Sequence, residues 1–286
     1  MIVLAATPIG NPKDASDRLR TLLATADVVA AEDTRRVRRL ARDLGVDIPG
    51  RIVSFYEAVE SSRTEHLLDT ALAADALVLV VSDAGTPVVS DPGYRLVAKA
   101  AAQGVPVSIA PGPSAVTAAL AVSGLPSDRF CFEGFLPRKA GERGRRLAAL
   151  TDERRTMVFF ESPRRTADTL AAMIEVFSGD RQVVLCRELT KTHEQILRGS
   201  LDEVLTEVSG STLLGEVTLV VAGLPAADSA TRVSPMELAR TVAAREATGE
   251  PRKTAIAEVA RELGVPKRRV FDAVVAARST GGEGTA

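Results

Sequence analysis

This sequence predicts an α/β protein of two lobes followed by a small helical module, and three observations carry that reading. From residue 1 to about 112, short apolar runs alternate with helical segments, the order of a parallel sheet. After Pro111-Gly112-Pro113 a second alternation begins, and past residue 225 the chain turns to amphipathic, cation-rich segments. With 286 residues, 45% hydrophobic and 26% charged, the chain has material for two domains and their cores.

The first lobe, residues 1–112, places strands at 2–6, 28–32, 51–55, 77–82 and 105–110. Runs of Val and Leu as apolar as 76–81 suit strands covered on both faces. Segments 16–26 and Thr34–Leu44 carry Leu and Val at helical spacing, the second stopped by Gly45. In the second lobe, residues 113–226, a small-residue helix at 114–122 precedes strands at 130–134, Thr156–Glu161, Gln182–Arg187, 194–198 and 216–222. The junction at Pro111–Pro113 should border a cleft, because ligand sites favour such boundaries. Residues 225–229 have linker composition. Beyond them, 254–264 and 267–275 form a helix-turn-helix pattern around Gly264-Val265-Pro266. Residues 232–278 hold ten Lys or Arg against six Asp or Glu, a local +4 in a chain whose total is −1. The module is therefore either a nucleic-acid reader or a packing or dimerisation element with a solvated basic face. The tail, 279–286, is expected to be disordered.

Three rigid loops fall at strand ends, where α/β sheets bind ligands. Thr7-Pro8-Ile9-Gly10-Asn11-Pro12 follows the first strand, Ala31-Glu32-Asp33-Thr34-Arg35 the second, and Ser82-Asp83-Ala84-Gly85-Thr86-Pro87 the fourth, running on to Ser90-Asp91-Pro92-Gly93. Gly85 permits a backbone path closed to other residues, while Asp83 and Asp91 supply acceptors. Asp33 or Thr34 is placed to cap the next helix, which leaves Glu32 as a strand-end carboxylate that must be paired or used. That helix presents Arg35, Arg36, Arg38, Arg39 and Arg42, either as a solvated face or as a phosphate-binding one. A second basic cluster runs from Arg138-Lys139 to Arg143, Arg145 and Arg146, on a flexible hairpin or a helix start. Strand ends at Phe159-Phe160-Glu161-Ser162 and Cys186-Arg187-Glu188-Leu189-Thr190-Lys191 mix charge with apolar residues.

Several chemistries lose support. No Walker loop and no Gly-x-Gly-x-x-Gly is present, and no histidine accompanies a serine or cysteine in a triad pattern. Cys131, Cys186, His66 and His193 have neither disulfide-framework nor metal-ligand spacing, so a reducing cytoplasm and no metal are expected. No run reaches the roughly 20 apolar residues a membrane span needs, and no membrane association is expected.

Taken together, these residues resemble the tetrapyrrole methylase superfamily of S-adenosylmethionine-dependent methyltransferases. The branch they resemble 2′-O-methylates a cytidine ribose in small-subunit (16S) ribosomal RNA, near the decoding centre. The carriers are Thr7-Pro-Ile-Gly-Asn11, Ala31-Glu-Asp-Thr-Arg35, Ser82-Asp-Ala-Gly-Thr-Pro87, Ser90-Asp-Pro-Gly93 and Pro111-Gly-Pro-Ser-Ala115 in the first half. Gly124-Leu-Pro126, Phe135-Leu-Pro137, Glu161-Ser162, Arg187-Glu-Leu-Thr-Lys191 and Gly215-Glu216 continue the set, in order, to about residue 225.

The resemblance implies two α/β lobes with folded S-adenosylmethionine in the cleft between them, and a homodimer. It places cofactor contacts on Pro8, Asp83, Ala84, Gly85, Pro87, Val88, Ser114, Ala115, Phe160, Glu161 and Val217. Methyl transfer to a ribose hydroxyl needs in-line alignment and a proton acceptor. Glu32, Asp33, Asp83 and Glu161 are candidate bases or orienting groups, with Lys191 and Arg35 placing phosphate or ribose. Candidate contacts to 16S ribosomal RNA, within the small subunit, are Arg35, Arg36, Arg138, Lys139, Arg252, Lys253, Lys267, Arg268 and Arg269. Two other readings stay open: a small-molecule methylase of the tetrapyrrole pathway, and a non-catalytic nucleic-acid-binding regulator.

Overall fold

The structure is a computed structural model that describes residues 1–73, 76–210, 213–225 and 233–281, with side chains described up to residue 277. Linker residues 226–229, Arg232, the Arg278 side chain and tail residues 282–286 lie outside what is described. The chain forms two compact units, Met1–Leu147 with Thr156–Val221, and Ala148–Arg155 with Ala222–Ala286.

Within the first unit, β1 (Ile2–Ala5), β2 (Val28–Ala31), β3 (Arg51–Ser54), β4 (Val78–Val81) and β5 (Val107–Ala110) make a sheet of order β3-β2-β4-β1-β5. All its pairings are parallel, with Ile2 in register with both Val78 and Val107. Helices α1 (Asp17–Thr25) and α2 (Thr34–Leu44) cover one face, where Val3, Ala5, Val29 and Val81 pack with Leu19, Leu23 and Val37. On the other, Ile2, Leu4, Ala30 and Val80 pack with residues of α3 (Glu57–Ala73) and α4 (Tyr94–Ala102), Leu67, Leu68 and Leu96 among them. Every position of β1, β2 and β4 is buried, which is why these strands read as unbroken apolar runs. Asp33 caps α2 by accepting from Arg35 N–H, and Gly45, at φ 67°, ends it.

The second sheet contains β6 (Phe130–Phe135), β7 (Thr156–Glu161), β8 (Gln182–Arg187), β9 (Gln195–Ser200) and β10 (Val217–Val221), in the order β6-β7-β10-β8-β9. Only β6 and β7 run parallel here, whereas β7–β10, β10–β8 and β8–β9 are antiparallel. The turn from β8 to β9 is too short to carry a crossover helix, so an antiparallel return is the available geometry. Helix α5 (Ala115–Ser123) packs Val116, Ala119 and Leu120 against Val158, Val184 and Val220. Helix α6 (Ala140–Ala148) holds the second basic cluster, so that segment is a helix; Arg143 on it is buried, while Arg145 and Arg146 are exposed. Helices α7 (Thr166–Phe177) and α8 (Leu201–Ser209) pack on each other.

The second unit has helices α9 (Pro235–Ala247), α10 (Arg252–Glu262) and α11 (Lys267–Gly281). Leu238, Val242, Ile256, Val259, Val270 and Val274 form their shared core. The helix pair expected from sequence is thus α10 and α11, and α9 completes a three-helix cluster that the sequence pattern had not singled out. Gly264, at φ +63°, ends the α10 turn. Lys253, Lys267 and Arg268 are exposed, whereas Arg252 pairs with Glu246 and Arg269 donates to the Val233 carbonyl at 3.1 Å. Among the described residues, no helix is long and apolar enough to cross a membrane.

Candidate active site

At the carboxyl edge of the parallel sheet, a reciprocal backbone pair joins the loops that follow β1 and β4. Thr7 N–H donates to the Gly85 carbonyl at 2.8 Å, and Gly85 N–H returns to the Thr7 carbonyl at 3.1 Å. Gly85 sits at φ +84°, and a Cβ there would meet Ile9 and the Pro113 carbonyl only at 3.5 and 3.8 Å. Backbone conformation rather than lack of space therefore calls for glycine. Gly10 is the opposite case, because a Cβ there would overlap Lys191 and crowd Thr190. The β1 loop meets the Glu188–Lys191 loop at this point, and Asn11 N–H donates to Thr190 Oγ1 at 3.1 Å.

The β4 loop then holds Val88 and Ser90 at φ 77° and 65°, in the left-handed region. For a β-branched residue such a conformation persists only when its surroundings enforce it. One anchor is Glu60 of α3, 6% exposed, whose Oε1 accepts the N–H groups of Gly93 and Arg95, both at 3.0 Å. Glu60 thus caps α4 from a neighbouring helix and pins the end of the loop.

Between these loops and the second sheet lies a cavity of about 470 Å³, a size that suits a nucleoside-sized ligand. Ile9, Ala84, Ala115, Phe135, Phe160 and Val217 form its apolar lining, with Gly85 and Ser114 beside them. The Phe135 and Phe160 rings stand 5.6 Å apart by centroid. Carboxylates line it too: Glu32, Asp83, Asp91, Glu161 and Glu216, accompanied by the cation Arg36.

Those carboxylates differ in what already occupies them. Glu161, 2% exposed, accepts Ser162 N–H on Oε1 at 2.8 Å and the Thr169 hydroxyl on Oε2 at 2.7 Å, with Arg165 at 3.3 Å. Asp83 accepts Asp33 N–H at 3.0 Å on one oxygen and faces Arg36 Nε at 3.3 Å with the other. Glu216 meets Lys191 Nζ at 3.1 Å. Burial pushes the Glu32 carboxyl up, and the charges of Asp83 and Asp33 add to it against the opposing Asp83 N–H and Arg36. Asp91 is pushed up to about 7, by burial first and then by the negative charges of Glu32 and Asp83, with a hydrogen bond from Ser82 acting the other way.

The residues expected from sequence divide accordingly. Glu32, Asp83, Ala84, Gly85, Ser114, Ala115, Phe160, Glu161, Val217 and Arg36 are brought together on the cavity wall. Pro8, Pro87 and Val88 lie in the same loops without lining it. Asp33 sits outside the cavity, where hydrogen bonds from the Arg35 side chain and backbone hold it at about 2. Lys191 is tied to Glu188 at 2.7 Å as well as to Glu216; burial opposes its charge, but those two hydrogen bonds outweigh it and raise its pKa. Arg35 is wholly exposed apart from its pairing with Asp33, and Arg138 and Lys139 stand on the surface before α6, Lys139 paired with Glu142. Sequence reasoning left out Phe135, Glu216 and Asp91 from the candidate site, and Glu60 altogether. The spacing of Ser90-Asp91-Pro92-Gly93 behind Asp83 was a usable signal for Asp91; a glutamate inside a polar helix gave none for Glu60.

An apolar, acid-rimmed cavity at the strand ends of a parallel sheet defines an enzyme of the ligand-binding α/β class. The profile of the family described as Tetrapyrrole (Corrin/Porphyrin) Methylases matches residues 1–205, and the chain belongs to that family of S-adenosylmethionine-dependent methyltransferases. A relative from Mycobacterium tuberculosis (strain CDC 1551 / Oshkosh), "Ribosomal RNA small subunit methyltransferase I", is 54% identical over 98% of this chain and 97% of its own. A relative of the same name from Thermotoga maritima is 43% identical, covering 98% of that protein but 78% of this chain. Among solved structures, the methyltransferase CobJ shares the fold at TM-score 0.60 and 21% identity, over 78% of this chain and 93% of its own. A uroporphyrin-III C-methyl transferase from Thermus thermophilus, complexed with S-adenosyl homocysteine, does so at TM-score 0.53 and 20% identity, over 77% and 96%.

Replacing Glu60 by Ala leaves the buried Gly93 N–H and the partly buried Arg95 N–H without this acceptor. The expected cost is about 1–3 kcal/mol in urea unfolding, with faster amide exchange at Gly93 and Arg95 than in β1.

Proposed function

We propose that this protein transfers a methyl group from S-adenosylmethionine to the 2′-hydroxyl of a cytidine ribose in small-subunit ribosomal RNA. What carries the reading is the acid-rimmed cavity, taken with 54% identity along nearly the full length of a ribosomal RNA small subunit methyltransferase I. The small-molecule methylases that share the fold are about 20% identical, too distant to favour their substrates.

The cavity residues fit the cofactor on their own chemistry. Phe135 and Phe160 offer ring surface to a flat base, and Gly85, Ser114 and Ala115 bring backbone within reach of polar groups. Asp83 puts negative charge on the rim, which suits a sulfonium cation. When bound, S-adenosylmethionine supplies an electrophilic methyl group. The protein's share is alignment, exclusion of water and acceptance of the hydroxyl proton. Glu161 serves as a fixed support, since both its oxygens are in use. In this reading residues 1–112 and 113–226 act as the lobes that grip the cofactor, the enzyme works as a homodimer, and RNA phosphates meet exposed Arg35, Lys253, Lys267 and Arg268.

Small subunits from cells lacking the enzyme, incubated with it and labelled S-adenosylmethionine, should yield ribose-methylated cytidine in nucleoside mass spectrometry. Label on a base, or none on RNA, overturns the reading. Gly85→Val should fold but lose cofactor affinity by calorimetry, because φ +84° strains a branched residue and would shift the loop that lines the cavity. Charge reversal at Lys253, Lys267 and Arg268 should flatten the log–log salt dependence of RNA binding by roughly 0.7–0.9 per lost contact while cofactor affinity stays unchanged. An unchanged slope would assign the helical unit to packing.

A further inference from the structure

We infer that Asp91, on the cavity wall beside Glu32 and Asp83, is the proton acceptor for the attacking hydroxyl; this rests on the methyl-transfer reading above.

The argument is one of occupancy and position. Of the carboxylates on the cavity wall, Glu161 has both oxygens engaged, Asp83 is held by Asp33 N–H and Arg36, and Glu216 is paired with Lys191. Asp33 lies off the wall and is clamped by Arg35. Two remain. Glu32 spends Oε2 on Asp83 N–H at 3.3 Å, at the end of a buried strand. Asp91 stands on the wall beside the Ser82 hydroxyl, with no backbone N–H on its carboxylate and no Lys or Arg paired to it among the described residues.

Its placement is enforced. Asp91 follows Ser90 at φ 65° and precedes Gly93, whose N–H is pinned by buried Glu60, so the strained turn holds Asp91 on the cavity wall beside Val89 and Ser90. The groups that act on its charge are Glu32 at the end of β2, Asp83 and Ser82 at the end of β4, and Arg36 of α2, which offsets Asp83. Burial first, and then the charges of Glu32 and Asp83, push Asp91 up to about 7, which suits a base working at neutral pH.

The step balances. As the ribose oxygen bonds to the methyl carbon, its O–H bond breaks and the proton passes to the Asp91 carboxylate. The electron pair of the carbon–sulfur bond leaves with the sulfur, giving a neutral thioether, and Asp91 then returns its proton to solvent.

The test compares full-length wild type with Asp91→Asn and Asp91→Glu. Infrared titration of the protein without cofactor or RNA should show a protonated carboxyl band that disappears near pH 7 and is missing in Asp91→Asn. Single-turnover methylation by wild type should rise with pH through about 7; Asp91→Asn should lose roughly 10²–10⁴-fold and that rise, and Asp91→Glu should regain part of both. The sign for stability is opposite. Because the fold disfavours ionised Asp91, Asp91→Asn at pH 8 should be as stable as wild type or more so, with S-adenosyl homocysteine affinity retained. A wild-type rate that falls through pH 7, or an Asp91→Asn enzyme with wild-type rate and profile, overturns the inference while the methyl-transfer reading stands. Failure of wild type to methylate a ribose removes the reading itself.

Discussion

The pair of backbone hydrogen bonds between Thr7 and Gly85 is the constraint on which the site depends. Strands β1 and β4 are neighbours in a parallel sheet, so their following loops leave the same edge side by side. A bridge across those loops extends the sheet by one irregular rung and fixes how far each can swing. Asp83 and Asp91 ride on one of the bridged loops, while Gly10 and Asn11 of the other lock against Thr190 and Lys191. Three segments far apart in sequence are thereby held in one rigid rim.

Electrostatics then divides a set of like residues into different jobs. Five carboxylates line one cavity, and their chemistry is decided by what each already touches. Cations and hydrogen-bond donors take up Asp83, Glu161 and Glu216, making them struts. Glu32 and Asp91 are left with mutual repulsion and partial burial, both of which favour the protonated form. Concentrating negative charge opposes folding, and the network of Glu60, Arg36 and strained backbone at Val88 and Ser90 is what holds it in place.

The two units also divide the charge of the molecule. The sheet-bearing unit carries an acidic cavity and an arginine-studded α2, and the three-helix unit carries exposed Lys253, Lys267 and Arg268. Near-neutral overall charge conceals both, since opposite patches cancel in the total. A sulfonium cofactor and a polyanionic substrate ask for opposite fields, which a chain of net charge −1 supplies by segregation.

Local chemistry made much of this legible in the sequence. Buried parallel strands announce themselves as unbroken Val and Leu runs, Gly45 and Gly264 mark helix ends by their φ, and the Gly/Pro loops mark ligand-facing turns because other residues cannot follow those paths. Glu32, Asp83 and Gly85 could be picked on that basis, and Phe160 by the family resemblance. Pairing was not legible. The antiparallel course of β8, β9 and β10 depends on which strands meet, and the fates of Asp83 and Lys191 on partners from distant segments, Asp33 N–H and Arg36 for one and Glu216 for the other. Glu60 lies 33 residues from Gly93 in the chain, and Glu32 lies 51 from Asp83, yet each pair is in hydrogen-bond contact. A residue's type and its local conformation are written into the chain beside it, but its charge state is set by neighbours in space, and only the tertiary structure chose those.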